Sequence, residues 1–360
     1  MRDFLIIGGG IAGISAAARL SHLGTVTLLE GESGLGYHAS GRSAAMFEGT
    51  YGLPSTVALN KASYTYHRDA NGGVLSPRGM LLLGGLEQED LFARDCEIME
   101  MTRISRDEAL AHVPILNPAT ATQFGYHAEA WDIDTDLLIQ NFAREARGNG
   151  GEILTNAHVT AIEHTQNGWQ VHSSKRTYEA RLLVNAAGAW VDHVANLAGV
   201  KPLGVQPYRR SMARLPAPGG HDVSSWPMMF GPGESWYSKP DAGKLLVSPA
   251  EEDPVEPHDA WADDMVLAEG LARYEAMVTE PVTRLETSWA GLRTFAPDRS
   301  LVIGFDPRQS DFFWVAGQGG YGFQTSPAAS KLAADLIEGK QPEIDASTVT
   351  ALSPSRFGNH

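Results

Sequence analysis

Gly8, Gly10 and Gly13 form a G-x-G-x-x-G run directly behind the apolar stretch Phe4, Leu5, Ile6 and Ile7. Such a run lets a strand turn tightly into a helix, brings backbone close to a pyrophosphate, and lets the helix pack on the strand. The helix opening at Ile11 and Ala12 offers free N–H groups and the positive end of its dipole to phosphates. Glu30 ends a second apolar run, 22 residues after Gly8. Its carboxylate is placed to accept hydrogen bonds from a ribose diol, and it would repel a 2′-phosphate. The pattern specifies a dinucleotide without choosing between FAD and NAD.

Residues 36–45, GYHASGRSAA, are small and polar with one fixed cation. Gly41, Arg42, Ser43 and Ala44 are expected along an extended dinucleotide, with Arg42 and Ser43 near phosphate or flavin. Two further arginines, Arg210 in QPYRRS and Arg293 in WAGLR, sit in apolar, strand-like surroundings. An unpaired charge is costly there, so each either closes an internal salt bridge or binds an anion. A planar guanidinium suits a carboxylate, which it can grip with two parallel hydrogen bonds. Arg209 is next along the strand and should face the other way.

The elements that position these residues follow from periodicity and punctuation. Residues 4–7 and 25–29 read as buried parallel strands flanking a helix over 11–23. A strand over 182–185 runs into Ala186, Ala187 and Gly188. Another, over 312–316, runs into Gly317, Gln318, Gly319, Gly320, Tyr321 and Gly322. A helix from about Ser326 to Ile337 follows, with Pro327 near its first turn and Gly339 past its end. Between these lie strand signals at 79–83, 168–172, 208–215, 235–239 and 245–247. Residues 94–101 read as a helix. Residues 265–279 read as an amphipathic helix burying Met265, Leu267, Leu271, Tyr274 and Met277. The acidic stretch 249–264, with Pro254 and Pro257, reads as a solvated loop. His158, His164 and His172 are expected on exposed strand or turn positions. The fold class is α/β, mixed with α+β: a Rossmann-like dinucleotide domain from residues 1–75, 140–200 and 297–360, and a β-rich substrate domain from 76–139 and 201–296.

Composition narrows the function. Lys and Arg number 28 and Asp and Glu 43, so the formal charge of −15 disfavours a phosphate backbone as partner. The chain is 43% hydrophobic, enough for a large core. One cysteine, Cys96, excludes an internal disulfide and a cysteine zinc cluster, and fits a reducing, cytoplasmic setting. No apolar run reaches the ~18–20 residues of a spanning helix. No zincin pair, G-x-S-x-G elbow or P-loop is present.

The motifs IIGGGIAG, GYHASGRSAA, LSPRGM, DIDTD, LVNAAGAW, QPYRRS, YSKPDAG, SPAEEDPVEPHD, WAGLR and FFWVAGQGGYGFQTS occur in order over nearly the whole chain. In them the sequence resembles the FAD-dependent amine and D-amino acid oxidoreductases, the group of D-amino acid oxidase, glycine oxidase and sarcosine oxidase. Within that group the bacterial D-arginine dehydrogenases are nearest. The resemblance implies non-covalent FAD, with Cys96 a buried packing residue. It implies hydride transfer from a D-amino acid Cα to flavin N5, giving an imino acid that hydrolyses to a 2-oxo acid. Secondary amines, imino acids and 2-hydroxy acids fit the same scaffold. A quinone, dye or oxygen would take the electrons. Arg210 and Arg293 match carboxylate-binding arginines, Tyr51 a tyrosine on a mobile loop over the substrate, and Tyr237 one beside it. Gly319, Gly320, Tyr321, Gly322 and Gln324 match the loop below the flavin. Two positions depart from the nearest relatives. Gly79 stands where they carry an acid for the substrate guanidinium, and Met46 where they carry a histidine. Glu48, near Tyr51, is the one nearby acid.

Overall fold

The computed structural model describes residues 1–358. Its first sheet has a parallel centre in the order Glu152–Leu154, Val26–Leu29, Arg2–Ile7 and Thr177–Asn185. The long Thr177–Asn185 strand has two partners along its other edge. Its first half pairs antiparallel with Gly168–Ser173, and its end pairs parallel with Phe312–Ala316. Side chains of Arg2–Ile7 are buried on both faces, Ile6 in one apolar cluster and Leu5 and Ile7 in another. That is why the run is continuously apolar rather than alternating. Helix Ile11–Leu20 packs its alanines against this sheet and ends three residues short of the expected boundary.

A second sheet of nine strands carries Arg210, Tyr237 and Arg293. Its longest pairing joins Gln206–Leu215 to Thr287–Phe295 in antiparallel register, Tyr208 opposite Arg293 and Arg210 opposite Gly291. A third, three-stranded sheet pairs Ala130–Ile133 with Met46–Glu48 and Leu75–Pro77. Cys96 lies buried in helix Glu89–Ile98. Helix Asp264–Ala276 buries Leu267 and Tyr274, but Met265 is 73% exposed, contrary to expectation. Met265 is in the first turn, before the helix meets the sheet. Residues 249–264 are not simply solvated either: Asp253 and Pro254 pair with the Gln206–Leu215 strand, and Ala260 is buried with its carbonyl accepting from Arg42. Among the described residues no helix is long and apolar enough to cross a membrane.

The last long helix begins at Gly322, four residues earlier than expected, and so contains Pro327. Proline supplies no N–H, which leaves the Phe323 carbonyl without its helical partner. Ser326 Oγ donates to that carbonyl at 2.9 Å. The Ala328 N–H donates instead to Ser63 Oγ at 3.1 Å, and Gln324 O lies 3.0 Å from His67 Nε2. The Pro54–Asp69 helix thus repairs the break. His67 is buried, and burial lowers its pKa to about 4. It is therefore neutral, with its proton on Nε2.

Between pH ~6.5 and ~4 the unfolded chain binds a proton here that the folded chain does not. Stability should fall as pH drops through that window, by up to about 3 kcal/mol. Thermal melts from about pH 7.5 to 4.5 check this. His67→Gln, which keeps a donor but does not titrate, should show a shallower acid slope; an equal slope would locate the sensitivity elsewhere.

Candidate active site

One cavity runs from Glu30 and His158 at one end to Arg210, Tyr237 and Arg293 at the other. At the first end the glycine run is held by steric necessity. A Cβ on Gly8 would lie 2.4 Å from the Ala186 carbonyl oxygen, and one on Gly13 1.9 Å from that of Gly8. Gly8 also has φ 108°. Gly13 does not line the cavity; it brings the helix against the turn that does. Glu30 accepts from the N–H groups of Gly9, at 2.6 Å, and Glu32, at 2.8 Å. Ser40, which the sequence did not single out, accepts the Ile11 N–H at 3.0 Å. Helix Ile11–Leu20 has no side-chain cap of its own, so its remaining free N–H groups open toward the cavity.

Ile11, Ala12, Ser43, Ala44, Ala187 and Gly188 line the same cleft. Arg42 lines it too, but its guanidinium is not free for phosphate. It donates to the carbonyls of Ala260, at 2.8 Å, and Ala290, at 3.0 Å, and pairs with Asp259. Arg42 thus ties residues 39–45 to the second sheet and to the 249–264 segment while keeping its place on the cavity wall. Gly41 is also off the cavity wall, packed under Gly36, whose carbonyl accepts its N–H. His158, though exposed, lines the cleft beside Gly31.

At the far end Arg210 and Arg293 share one face of their antiparallel pair, as the register demands. Arg209 faces away and bonds Asp253 at 2.7 Å. Arg210 is 7% exposed, and its Nε and Nη1 have no partner within the protein. Burial, and then Arg293 beside it, push its pKa below the ordinary arginine value. Arg293 is also desolvated, but Tyr237, Tyr51, Glu234 and Glu252 outweigh that and hold its pKa up. Gly320 makes room for this: a Cβ there would sit 3.1 Å from the Arg293 guanidinium. Gly319 has φ 52° and would drive a Cβ into Phe295. Gly322 and Gln324 complete this wall, and Gln318 and Gln324 each carry a buried Nε2 without a protein partner.

Tyr237 is buried on the wall, whereas Tyr51 and Tyr321 stand just off it, ring centres 5.3 Å apart. Burial, then the Glu234 charge, raises the pKa of both. Tyr51 is carried on a turn fixed from below. Glu48 Oε1 accepts from the Thr50 N–H at 2.9 Å and its hydroxyl at 2.8 Å, and Asn60 Nδ2 donates to the Tyr51 carbonyl at 3.0 Å. Met46 and Met212 line the cavity beside the arginines, and behind them Met80, Met228 and Phe230 belong to the same apolar cluster. Gly79 has φ 72°, and a Cβ there would meet the Tyr126 hydroxyl at 2.7 Å. Glu234 and Glu252 were not singled out from the sequence, since only the fold brings their loops to the arginines.

Comparison with known proteins settles the class. The model of the DAO family, described as "FAD dependent oxidoreductase", matches residues 3–336. The chain therefore belongs to this family, and it is an FAD-dependent oxidoreductase. It is 24% identical over 400 residues to "FAD-dependent oxidoreductase domain-containing protein 1" of Bos taurus, covering 93% of this chain and 81% of that one. It is 28% identical over 247 residues to N-methyl-L-tryptophan oxidase of Salmonella agona, 64% of this chain and 63% of that one. Among solved structures, L-proline dehydrogenase of P. horikoshii superposes with a TM-score of 0.84 at 22% identity, covering 99% and 97% of the two chains. Glycine oxidase of Geobacillus kaustophilus gives 0.84 at 23%, covering 99% and 98%. The fold is theirs. The steric cradle at Gly8 and Gly13, the open helix end and the unpartnered amide nitrogens fit FAD.

Gly13→Ala should abolish flavin retention, because its Cβ meets backbone that cannot yield. Gly188→Ala has open space around the new methyl and only a φ of 57° to tolerate, costing about 1 kcal/mol. The ratio of flavin to protein absorbance after purification separates them. Equal loss in both, or in neither, would contradict the packing argument.

Proposed function

We propose that this chain oxidises the Cα–N bond of an α-amino acid with an apolar side chain, taking D-amino acids as donors. The carrying observation is the pair Arg210 and Arg293 on one sheet face at the end of the cavity. Two desolvated cations, of which Arg210 is buried with two unpartnered nitrogens, call for a planar anion, and an α-carboxylate fits both forks. Bound FAD supplies the two-electron acceptor. Gly8, Gly10, Ile11, Ala12 and Glu30 hold its ADP half, Ser43, Ala44, Ala187 and Gly188 its middle, and Gly319, Gly320, Gly322 and Gln324 its ring system. Cys96 is buried in a helix away from the cavity wall, which supports non-covalent attachment. Residues 1–75, 140–200 and 297–360 are assigned to holding FAD and 76–139 and 201–296 to the substrate.

The protein's part is to hold, orient and dry the reacting atoms. Arg210 and Arg293 fix the carboxylate, Tyr237 packs beside it, and Tyr51 and Tyr321 cover it. The substrate loses its Cα hydrogen and an amine proton to give the imino acid, and water then releases a 2-oxo acid and ammonia. Met46 and Met212 on the cavity wall are apolar and adaptable, which favours neutral side chains of varied shape. Glu48 stands off the cavity wall and spends Oε1 on Thr50, which argues against its replacing the acid absent at position 79.

A second reading, a secondary amine or cyclic imino acid as donor, is favoured by the likeness to N-methyl-L-tryptophan oxidase. The single cysteine supports a reducing, cytoplasmic setting.

Anaerobic reduction of the flavin by D-Met, D-Leu, D-Phe, D-Pro, D-Arg, their L forms and N-methyl amino acids distinguishes these readings. Neutral D-amino acids should give the highest kcat/KM. Preference for N-methyl or cyclic donors would select the second reading, and preference for D-Arg would overturn the argument from Gly79. Arg210→Met or Arg293→Met should weaken substrate binding by about 2–5 kcal/mol with flavin content unchanged. Unaltered binding in both would make these arginines structural.

A further inference from the structure

We infer that Arg299 and Glu252 set the strength of the carboxylate clamp: Arg299 holds Glu252 off Arg210, leaving the cationic pair for the substrate. This rests on reading Arg210 and Arg293 as that clamp.

Glu252 is the carboxylate that touches Arg210, through one contact of 3.3 Å to Nη2. Its hold on Arg299 is firmer. Arg299 Nη2 lies 2.9 Å from both Glu252 oxygens. A carboxylate shared between two guanidiniums belongs chiefly to the one making the shorter and more numerous contacts. The charge of Glu252 is felt by Arg293 as well. Were it to turn fully onto Arg210, it would neutralise part of the pair where solvent screens little, because Arg210 is almost wholly buried. Substrate would then have to displace an internal anion. The remaining acids do not fill this role. Glu251 is 3.8 Å from Arg209 and accepts the Ser211 N–H at 2.6 Å. Glu234 makes no ion pair with either clamp arginine within 4.0 Å among the described residues.

Arg299 is placed for this by a costly conformation. Its φ is 64°, in a turn closed by its own N–H donating to the Ala296 carbonyl at 2.8 Å. A non-glycine residue persists there only when its surroundings fix it. Here the guanidinium lies 3.8 Å over the Phe295 ring and 5.7 Å from that of Tyr208. Tyr208 is the residue paired with Arg293 across the strands. The strained turn, the stacked guanidinium and the clamp are therefore one assembly. Glycine would sit in the same turn without strain, so Arg299→Gly removes the side chain without threatening the fold.

The test uses the FAD-loaded enzyme and benzoate, a carboxylate that cannot be oxidised, with binding read from the visible flavin spectrum. Arg299→Gly should raise the benzoate Kd about ten-fold, the scale of one altered ion-pair contact, while the melting temperature holds or rises. Glu252→Gln alone should tighten binding. In the Glu252→Gln background, Arg299→Gly should change Kd by less than about two-fold, because the residue it restrains is no longer an anion. Equal weakening in both backgrounds would show that Arg299 acts without Glu252, and no change in the wild-type background would show that it does not act; either overturns the inference. Arg210→Met is titrated alongside. If it binds benzoate as wild type does, the clamp reading itself fails; if it loses binding while Arg299→Gly is silent, only this inference fails.

Discussion

Two positive charges close together in a place that water barely reaches are unstable unless something answers them. Arg210 and Arg293 are such a pair, and much of the surrounding structure can be understood as the answer. The antiparallel register puts both on one face and turns Arg209 to the other, where Asp253 takes it. Gly320 leaves the Arg293 guanidinium room against bare backbone. Two tyrosines and two carboxylates act on Arg293, yet two nitrogens of Arg210 remain unpartnered. Compensation is thus incomplete, and this gap is what supports the proposal of a substrate carboxylate at the pair.

The same economy of local exceptions holds the FAD cradle to the second sheet. Residues 39–45 and 249–264 come from distant parts of the chain and meet at Arg42, whose guanidinium bonds two carbonyls and Asp259. Lys239, buried in the second sheet, adds a contact to the Ala45 carbonyl at 3.2 Å and to Asp132 at 2.8 Å. Fixed cations in this stretch act as clasps between sheets. On the opposite wall, Pro327 breaks the helix that carries Gln324, and His67 and Ser63 repair it from a neighbouring helix.

Local signals made the FAD cradle legible in the sequence. Strand, glycine and helix lie within about thirty residues there, and each glycine answers to a contact that can be named. The arginine pair was legible because charge in an apolar strand is anomalous. Three features were not legible, for one reason. The partners of Arg42, the burial of Ala260 and the approach of Glu252 and Glu234 to the clamp all depend on contacts between loops far apart in sequence. The early start of the Gly322–Glu338 helix was missed because Pro327 argues for a first turn, and the groups that rescue an interior proline lie some 260 residues away. Periodicity places Met265 in the core but does not say where a helix leaves the sheet, and Met265 is exposed.

The central claim is that a substrate carboxylate, held by Arg210 and Arg293, is what brings the donor to the flavin. Replacing that carboxylate by an amide, with everything else kept, addresses it most directly. Anaerobic stopped-flow reduction by D-leucine and by D-leucinamide would be compared over a range of concentrations. The amide should reduce the flavin with kcat/KM lower by at least about a hundred-fold, as expected when two charged contacts become neutral ones. Reduction by the amide as efficient as by the acid would mean that the arginines serve some other anion, and the account of the site would fall.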